Sequence, residues 1–342
     1  MFILHILTNR ENDRAANYAA GVISGLHETG IAQCAVMHES ASSYGKLKNA
    51  GIEVAPRVLR AGWRWRQRVL LHRLIQRLKP DVIHCWTRAA VRLVPKGKIP
   101  VIGWFGGYDD PHRFAPCAHF VGVTADITAH LIRHGVPRPS AHFIPAYSAI
   151  TAAPPLDRNL LATPREARVL VSFSRLHPAS RLDVLLAALA DLPECYAWLV
   201  GEGPWRRELE KRAGATGVLE RVRFAGVRLD RSALLRAADL CVLPGQDDPL
   251  GTVVQDAWVA GTPLVAAAEA GFVTPVENDA DGLLVTAGEP RTLAHAIRRI
   301  LEEENLRRRL VGQGYASGLG LYAREAVVGR WVGLYREAVA SG

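Results

Sequence analysis

Two aspartates beside the predicted start of a helix are the residues of this sequence whose types and spacing most readily support binding chemistry. The apolar run Leu240–Leu243 predicts a buried strand that ends at Pro244 and Gly245, and the apolar-periodic residues 251–259 predict a helix. Asp248 lies in the acidic loop between them. The unpaired N–H groups and the positive dipole end of the helix would face that loop, so an anion can bind there without a charged side chain.

The second aspartate, Asp256, follows Asp248 by eight positions. Two turns of helix bring such positions onto one side, and both carboxylates can then face the same ligand. A strand, a polar loop and an anion-binding helix start predict a nucleotide-type site. The alternative is a solvated acidic turn before an ordinary surface helix.

The elements that must position this site alternate along the whole chain. At 342 residues, with 49% hydrophobic and 22% charged residues, the sequence fits a globular protein of two domains. In each half, short apolar runs alternate with amphipathic stretches, which predicts an α/β protein with parallel sheets and helices on both faces. Ligands of such sheets bind beyond the carboxyl ends of the strands.

The stretch around the two aspartates resembles the nucleotide-sugar-binding signature of retaining glycosyltransferases of the family 4 type, which have the GT-B fold. Both acids are Asp where the family usually has Glu, so each carboxylate reaches one methylene less far, and Leu250 replaces a Phe. The matching residues are Pro244-Gly245, then Asp248-Pro249-Leu250-Gly251, then Asp256-Ala257-Trp258-Val259-Ala260-Gly261-Thr262-Pro263.

The resemblance extends over nearly all of the second half. Residues 174–186 look like the segment in which an Arg and a Lys of the family hold the donor diphosphate. Arg175 matches the Arg, whereas Ser180 stands at the Lys position and Arg181 follows it where the family has Gly. We expect Arg181 to supply the lost charge. Residues 200–204 and 222–226 are similar to two further glycine-containing motifs, the first close to the nucleotide base.

The resemblance implies two doubly wound Rossmann-like domains that face each other across a cleft, with a C-terminal helix that crosses back onto the first domain. Residues 1–150 would form the acceptor domain and residues 167–320 the nucleotide-sugar-binding domain. The proline-containing, aperiodic residues 151–166 are predicted to be a linker, and residues 321–342 the final helix.

The implied activity is metal-independent transfer of a hexose-type sugar, with retention, from a nucleotide-diphosphate sugar to a glycan or lipid-linked acceptor. A UDP-sugar is the favoured donor, and lipopolysaccharide or exopolysaccharide synthesis the favoured setting. The donor is a substrate, so no cofactor is expected, and fixed positive groups would stabilise the departing diphosphate. Asp248 would hold hydroxyls of the donor sugar and Asp256 those of the ribose. The catalytic residues would be Arg175, Asp248 and Arg181, and the donor-binding residues Ser174, Gly201, Gly203, Leu250, Gly251, Thr252 and Asp256.

Two loops of the first half offer acceptor-side residues. The loop at 8–14 is polar and has no glycine, which disfavours a dinucleotide site, and it lacks the glycine pair that many family members carry there. Residues 103–112 combine three glycines with aromatic residues, which allows a sugar to approach the backbone; the alternative is a tight turn that packs aromatic rings on the core. The acceptor-side residues would be Asn9, Arg14, Gly106, Gly107, Tyr108 and Asp109.

A basic segment at 57–79 contains no acid and contributes much of the formal net charge of +9. Its arginines are interleaved with Trp63, Trp65 and apolar residues at helical spacing, which predicts a basic amphipathic helix. Such a helix can lie on an anionic membrane surface. Alternatively, it packs its apolar face on the sheet and leaves its arginines in water. Nucleic-acid binding ranks below both, because no recognisable module accompanies the charge.

The cysteines and histidines predict neither a disulfide framework nor a metal site. The five cysteines are scattered without a Cys-x-x-Cys pair, which favours reduced thiols in a cytoplasmic protein. His130 and His134 lack the intervening Glu of a zincin and are interpreted as surface residues of a helix. No secretory signal or bilayer-spanning run is recognised, so any membrane contact is expected to be peripheral, on the inner face of the cytoplasmic membrane.

A different class of function remains open from the same residues. The shortened acids and the missing Lys also suit a non-catalytic GT-B subunit that binds nucleotide sugar or glycan. A nucleotide-sugar epimerase or a glycan phosphorylase of similar fold is a further enzymatic alternative. Nucleotide binding that depends on Arg175, followed by turnover, separates the transferase from these.

Overall fold

The computed structural model of the chain describes residues 1–8, 14–41, 43–60, 62–245, 248, 250–268 and 275–341, without the side chains of residues 14, 15 and 57. The chain divides into two compact units. The first consists of Met1–Ala146 and Arg324–Gly342, and the second of Tyr147–Ala323. Each unit is built around its own parallel sheet.

The first sheet is assembled from short apolar strands, most of whose residues are buried, as expected for parallel strands covered on both faces. The strands are β1 (Phe2–Ile6), β2 (Ala32–Val36), β3 (Glu53–Val54), β4 (Val82–Cys85), β5 (Val101–Phe105), β6 (His119–Gly122) and β7 (Ala141–Phe143). Within the described ranges their order in the sheet is β3-β2-β1-β4-β5-β6-β7, and every neighbouring pair is parallel.

Helices connect these strands, as parallel pairing requires. They are α1 (Arg14–Glu28), α2 (Tyr44–Asn49), α3 (Arg57–Arg60), α4 (Arg64–Leu78), α5 (Arg88–Val91) and α6 (Ala125–Arg133). Thr124 caps the start of helix α6, since its side chain accepts a hydrogen bond from the backbone N–H of Ile127. Helix α4 ends at Lys79, which adopts the left-handed conformation (φ 46°).

The second unit repeats the doubly wound arrangement. Its strands are β8 (Arg168–Phe173), β9 (Cys195–Val200), β10 (Val222–Gly226), β11 (Leu240–Leu243), β12 (Leu264–Ala268) and β13 (Leu283–Thr286). Its helices are α7 (Leu182–Ala190), α8 (Arg206–Ala215), α9 (Arg231–Ala237), α10 (Thr252–Ala260), α11 (Pro290–Glu302) and α12 (Glu304–Leu319). The described strands are parallel in the order β10-β9-β8-β11-β12-β13. A buried apolar cluster covers each face of this sheet.

The final helix, α13 (Arg324–Ala340), belongs to the first unit, where it packs on α1 and β4. Its Trp331 and Tyr335 are fully buried. The Tyr335 hydroxyl is 2.8 Å from Nδ1 of the buried His84, and Arg324 bonds both carboxylate oxygens of Glu28 at 2.6 and 2.7 Å. An ion pair therefore fixes the start of the helix to this unit, and aromatic burial fixes its middle.

The predicted linker at 151–166 differs from the structure, which groups these residues with the second unit. The Arg158 guanidinium donates to the carbonyls of Ala167 and Ala237 and to the Asp239 carboxylate, at 2.7–3.0 Å. The segment is thus docked rather than free, because a planar guanidinium can satisfy several buried acceptors at once. The boundary between the units falls after Ala146.

Candidate functional site

The strand order of the second unit reverses between β8 and β11, which are paired neighbours in the sheet. Such a reversal opens a crevice beyond the carboxyl ends of the two strands, because the following segments leave toward opposite faces. The segments here are residues 174–181 after β8 and residues 244–251 after β11. The three predicted catalytic residues and three of the seven predicted donor-binding residues lie in these two segments, and the structure brings the segments together.

Two glycines after β9 let the segment after β8 lie directly on their backbone. A Cβ atom at Gly201 would lie 2.0 Å from the carbonyl oxygen of Ser174, and one at Gly203 would lie 2.4 Å from that of Leu176. Gly201 also has a φ of +145°, and the Leu176 N–H donates to the carbonyl of Glu202 at 3.1 Å. Both predicted positions therefore need glycine because of backbone contact, whatever they do for a nucleotide.

A third glycine joins β11 to the same segment. A Cβ atom at Gly245 would lie 2.4 Å from the carbonyl oxygen of Ala179. The buried hydroxyl of Ser180 donates to the backbone carbonyl of Arg175, while the Arg175 side chain is exposed. Ser180 therefore holds the turn in place and brings no charge to the position at which the family has Lys.

The Ser174 hydroxyl lies in an environment that favours a bound ligand. Its side chain is buried, and its hydroxyl has no hydrogen-bond partner within the residues that the structure describes. A buried, unpaired hydroxyl costs about 1–3 kcal/mol. A polar ligand at the carboxyl end of β8 would offset that cost.

Arg181 adopts the left-handed backbone conformation (φ 47°) immediately before α7. This explains why the family has Gly here, since for other residues the conformation costs about 1–2 kcal/mol. A Cβ atom at Gly288 would lie 3.4 Å from Nη1 of Arg181, so the guanidinium lies beside the turn after β13. The chain thus places a cation at a position where backbone geometry favours glycine.

Asp248 caps the start of α10. Its Oδ1 accepts from the N–H and the hydroxyl of Thr252 at 3.1 and 3.2 Å, and its Oδ2 accepts from the N–H of Val253 at 2.7 Å. Gly251 (φ 67°) donates its N–H to the Asp248 carbonyl, and the Leu250 side chain is buried. The N–H groups predicted to bind an anion are therefore held by this aspartate, which is itself an anion at the helix N-terminus.

Asp256 is buried inside the second unit and carries two strong hydrogen bonds. Its Oδ1 accepts from the Ser148 hydroxyl and its Oδ2 from Arg231, both at 2.7 Å. Burial raises the pKa of the Asp256 carboxyl above its usual value, Arg231 opposes that rise, and the nearby charge of Asp248 adds to it. The charge of Asp248 is thus close enough to act on the Asp256 carboxyl.

Arg231 and Ser148 were not among the predicted site residues. The Arg231 guanidinium lies over the Phe173 ring, 5.3 Å from its centroid, at the carboxyl end of β8. The only sequence signal for Arg231 was its position at the start of a predicted helix. Ser148 lay at the edge of the predicted linker, and no local pattern connects it to a residue 108 positions away.

Comparison with known proteins agrees with the resemblance found in the sequence. The family described as Glycosyl transferases group 1 matches residues 155–317. The lipopolysaccharide core biosynthesis glycosyltransferase LpsE of Rhizobium meliloti (strain 1021) is 30% identical over 330 residues, which cover 94% of this chain and 95% of that protein. The chain belongs to this family of glycosyltransferases. LpsD of the same organism, which bears the same description, is 29% identical over an alignment of 347 positions that covers 99% of this chain and 99% of that protein.

The fold of the glycosyltransferase also has solved counterparts. The Anabaena HepE protein, solved in complex with UDP, matches 98% of this chain and 100% of its own with a TM-score of 0.81 at 18% identity. The likeness shows that the two parallel-sheet units are those of the GT-B fold. The predicted fold class is thereby confirmed.

The first unit of the glycosyltransferase has its own strand-order reversal, between β1 and β4. The hydroxyls of Thr8 and Thr87, which follow these strands, are 2.6 Å apart. Asn9, predicted on the acceptor side, lies outside the described residues. The backbone of Arg14 begins α1, and its side chain is likewise outside the description.

The remaining acceptor-side candidates follow β5. The Tyr108 hydroxyl donates to the Asp126 carboxylate, and its ring meets that of His130 edge-on with the centroids 5.3 Å apart. The Asp109 N–H donates to the Gly107 carbonyl at 2.9 Å. Tyr108 thus has a partner within its own unit, although its side chain remains 43% exposed.

Gly106 and Gly107 differ in what surrounds them. A Cβ atom at Gly106 would lie 2.4 Å from the Trp104 ring, whereas one at Gly107 would meet nothing within 4 Å. Gly106 therefore fits the alternative interpretation, a turn that packs an aromatic ring. Gly107 leaves space beside the backbone.

Helix α4 has the predicted basic amphipathic character. Leu71, Leu74 and Ile75 are buried against the unit, while Trp63 and Trp65 are 68% and 60% exposed. In the part of the chain that the structure describes, no helix combines the length and the apolar composition needed to cross a bilayer.

Proposed function

We propose that the protein transfers a sugar, with retention, from a UDP-sugar to a glycan or lipid-linked acceptor of the lipopolysaccharide core type. The observation that carries the proposal is the crevice of the second unit, where residues 174–181 after β8 lie against the turn at Gly245 after β11. The coverage of nearly the whole chain by LpsD and LpsE supports the acceptor class. The UDP bound to HepE supports the donor class.

In this reaction the leaving group is a nucleoside diphosphate, and its growing charge needs fixed positive groups. We assign this role to Arg175, which is exposed at the crevice, and to Arg181. The N–H groups of Thr252 and Val253 would join them. These N–H groups now donate to Asp248, so phosphate oxygens would take them over and release the carboxylate.

The released Asp248 carboxylate would then accept hydroxyls of the donor sugar. Asp256 would accept the ribose hydroxyls in place of the Ser148 hydroxyl, while Arg231 keeps the second oxygen charged. Exchange of one hydroxyl for another leaves the number of hydrogen bonds to the buried carboxylate unchanged. The shorter Asp side chains are thus compatible with donor binding.

A nucleotide panel tests the donor assignment. Thermal shift and calorimetry with UDP, GDP, ADP and their common sugars are run on the wild type and on Arg175→Ala. Ligand at a hundred times its dissociation constant adds about 2.7 kcal/mol of stability. We expect selective stabilisation by UDP and its sugars, and its loss in the variant. Binding of UDP-sugar without release of UDP would favour the non-catalytic alternative, and no binding would contradict the donor site altogether.

The arginines would replace a divalent metal in charge neutralisation. We therefore expect UDP release from the donor to be unchanged when Mg²⁺ or Mn²⁺ is added or withheld. A strong requirement for either ion would contradict the metal-independent mechanism.

We further propose that α4 brings the protein to the inner face of the cytoplasmic membrane, where lipid-linked acceptors are found. Its exposed Trp63 and Trp65 would lie at the headgroup level and its arginines on lipid phosphates. Sedimentation with anionic vesicles should fall when both tryptophans become Ser. Recovery that equals the wild type would count against this surface, and neutral vesicles serve as the control.

A further inference from the structure

Two histidines and a glutamate of the first unit converge near the edge of its sheet. His119 lies on β6, His142 on the edge strand β7 and Glu337 on α13. Their ligand atoms, one from each side chain, all lie within 4.8 Å of one another. Nδ1 of His119 and Nε2 of His142 are 3.1 Å apart.

We propose that His119, His142 and Glu337 form a zinc site that joins the C-terminal helix to the edge of the first sheet. Two imidazole nitrogens and one carboxylate oxygen are ligands that zinc accepts, at about 2.0–2.2 Å. Two nitrogens at that distance from one tetrahedral ion are about 3.3 Å apart. The observed separation therefore needs only a small adjustment.

The exposure of the three groups suits this chemistry. His119 is buried and Glu337 is exposed, so solvent reaches one side of the site and a water can complete the coordination.

The competing explanation of the same geometry is a hydrogen bond in which one imidazole N–H donates to the other ring. That bond does not involve Glu337, whereas a metal site uses it as a ligand. Magnesium and calcium are excluded as occupants because they prefer oxygen ligands. Removal of the carboxylate without a change in side-chain size therefore separates the two explanations.

Such a site would act at the C-terminal end of α13. Glu337 lies near the end of the helix, beyond the buried Trp331 and Tyr335 that hold its middle. A ligand that binds only the folded unit stabilises it, and here it would protect the last turns of α13 from opening.

The test uses the full chain without an affinity tag, freed of metal by a chelator that is then removed. Calorimetric titration with Zn²⁺ should show one strong site per chain, and Mg²⁺ should show none. Glu337→Gln and His142→Asn should each weaken the affinity at least tenfold, since loss of even an outer-shell partner costs 10–100-fold. Co²⁺ should give a tetrahedral visible band that the same variants lose.

A matched control comes from another close histidine pair of the unit. His130 on α6 is half-buried and His134 at the C-cap of α6 is exposed, with ring centroids 4.0 Å apart, and within the described residues they belong to no group of three ligands. Replacement of both by Ala should leave the strong site intact. Zinc binding that survives Glu337→Gln unchanged, or that disappears with the α6 pair, would overturn the proposal.

Hydrogen exchange gives a second readout that does not depend on folding of the histidine variant. Zn²⁺ should slow exchange in residues 324–341 of the wild type but not of Glu337→Gln, whose exposed side chain is not needed for packing. Equal exchange with and without Zn²⁺ in the wild type would also overturn the proposal.

Discussion

The two units share a doubly wound topology but differ in the residues near the point where the strand order reverses. Both have a strand-order reversal, between β1 and β4 in the first and between β8 and β11 in the second. In the second unit, Gly201, Gly203 and Gly245 let backbones meet at the reversal, and arginines lie beside it. In the first unit, buried histidine and aromatic side chains fill the sheet face under α13. The same fold thus offers a crevice twice, with different residues beside it in the described parts of the two units.

The largest expected effect concerns charge at the second crevice. Arg175→Ala should lower the rate of UDP release about 10²–10³-fold, the usual cost of losing one group that stabilises a developing anion. Folding stability should change little because the side chain is exposed. Arg330→Ala, which removes an exposed arginine of α13 in the first unit, is the control and should keep the rate. Equal losses in both variants would mean that overall charge matters and position does not.

The next effect concerns glycine. Gly201→Ala should destabilise the second unit by about 3 kcal/mol, because the new Cβ would meet the Ser174 carbonyl, and backbone cannot rotate away as a side chain can. Gly107→Ala in the first unit meets open space and should stay within about 0.5 kcal/mol of the wild type. Chemical denaturation of the two variants measures the difference. A neutral Gly201→Ala would show that the segment after β8 is not held against this turn.

The first unit should lose stability as the pH falls, because it contains buried histidines. Burial lowers the pKa of His5 to about 3, and it lowers the pKa of His84 well below 6.5. The unfolded chain then binds more protons than the folded one below about pH 6.5, so stability is full above that pH and falls as the pH drops toward 3. The slope is about 1.4 kcal/mol per pH unit for each histidine.

Denaturation between pH 5 and 7, followed by tryptophan fluorescence, checks this slope. His84→Gln should make the slope shallower, since one histidine with a lowered pKa is gone, although the variant loses the contact with Tyr335 and is less stable throughout. In the second unit, Asp256 has a raised pKa, which acts with the opposite sign because stability is lost as the pH rises through it. A slope that is unchanged in His84→Gln would show that this histidine does not titrate on unfolding.

The smallest effect isolates the backbone at Arg181. Arg181→Gly and Arg181→Ala both remove the guanidinium, but only Gly relieves the left-handed conformation. The Gly variant should be about 1 kcal/mol more stable than the Ala variant, and both should lose activity equally. Melting curves and rates of UDP release compare them. Full activity in either variant would show that Arg181 does not supply the charge of the missing Lys.

Most of the fold could be predicted from the sequence, because long apolar or amphipathic runs indicate strands and helices by their periodicity. The strand Leu240–Leu243 was predicted to the residue. The strand Glu53–Val54 and the helix Arg88–Val91 were not predicted, because both are too short to show a period.

The candidate site was predictable only in part. Arg175, Asp248 and the glycines could be proposed from the sequence because each lies in a local motif. The partners of those residues were not found, since Ser148 and Arg231 reach Asp256 across 108 and 25 positions of the chain. The hydrogen bonds from the N–H groups at the start of α10 to the Asp248 carboxylate could not be predicted either, because a motif gives residue types without their rotamers.

The sequence by itself determined the alternation of strands and helices and the segments that form the crevice, because these depend on short-range periodicity and spacing. Its motifs indicated the family. The tertiary structure alone decided which side chains meet: Asp256 with Arg231, Tyr335 with His84, and His119 with His142 and Glu337. These contacts depend on how sheets and helices pack, and packing joins residues whose separation along the chain leaves no local signal.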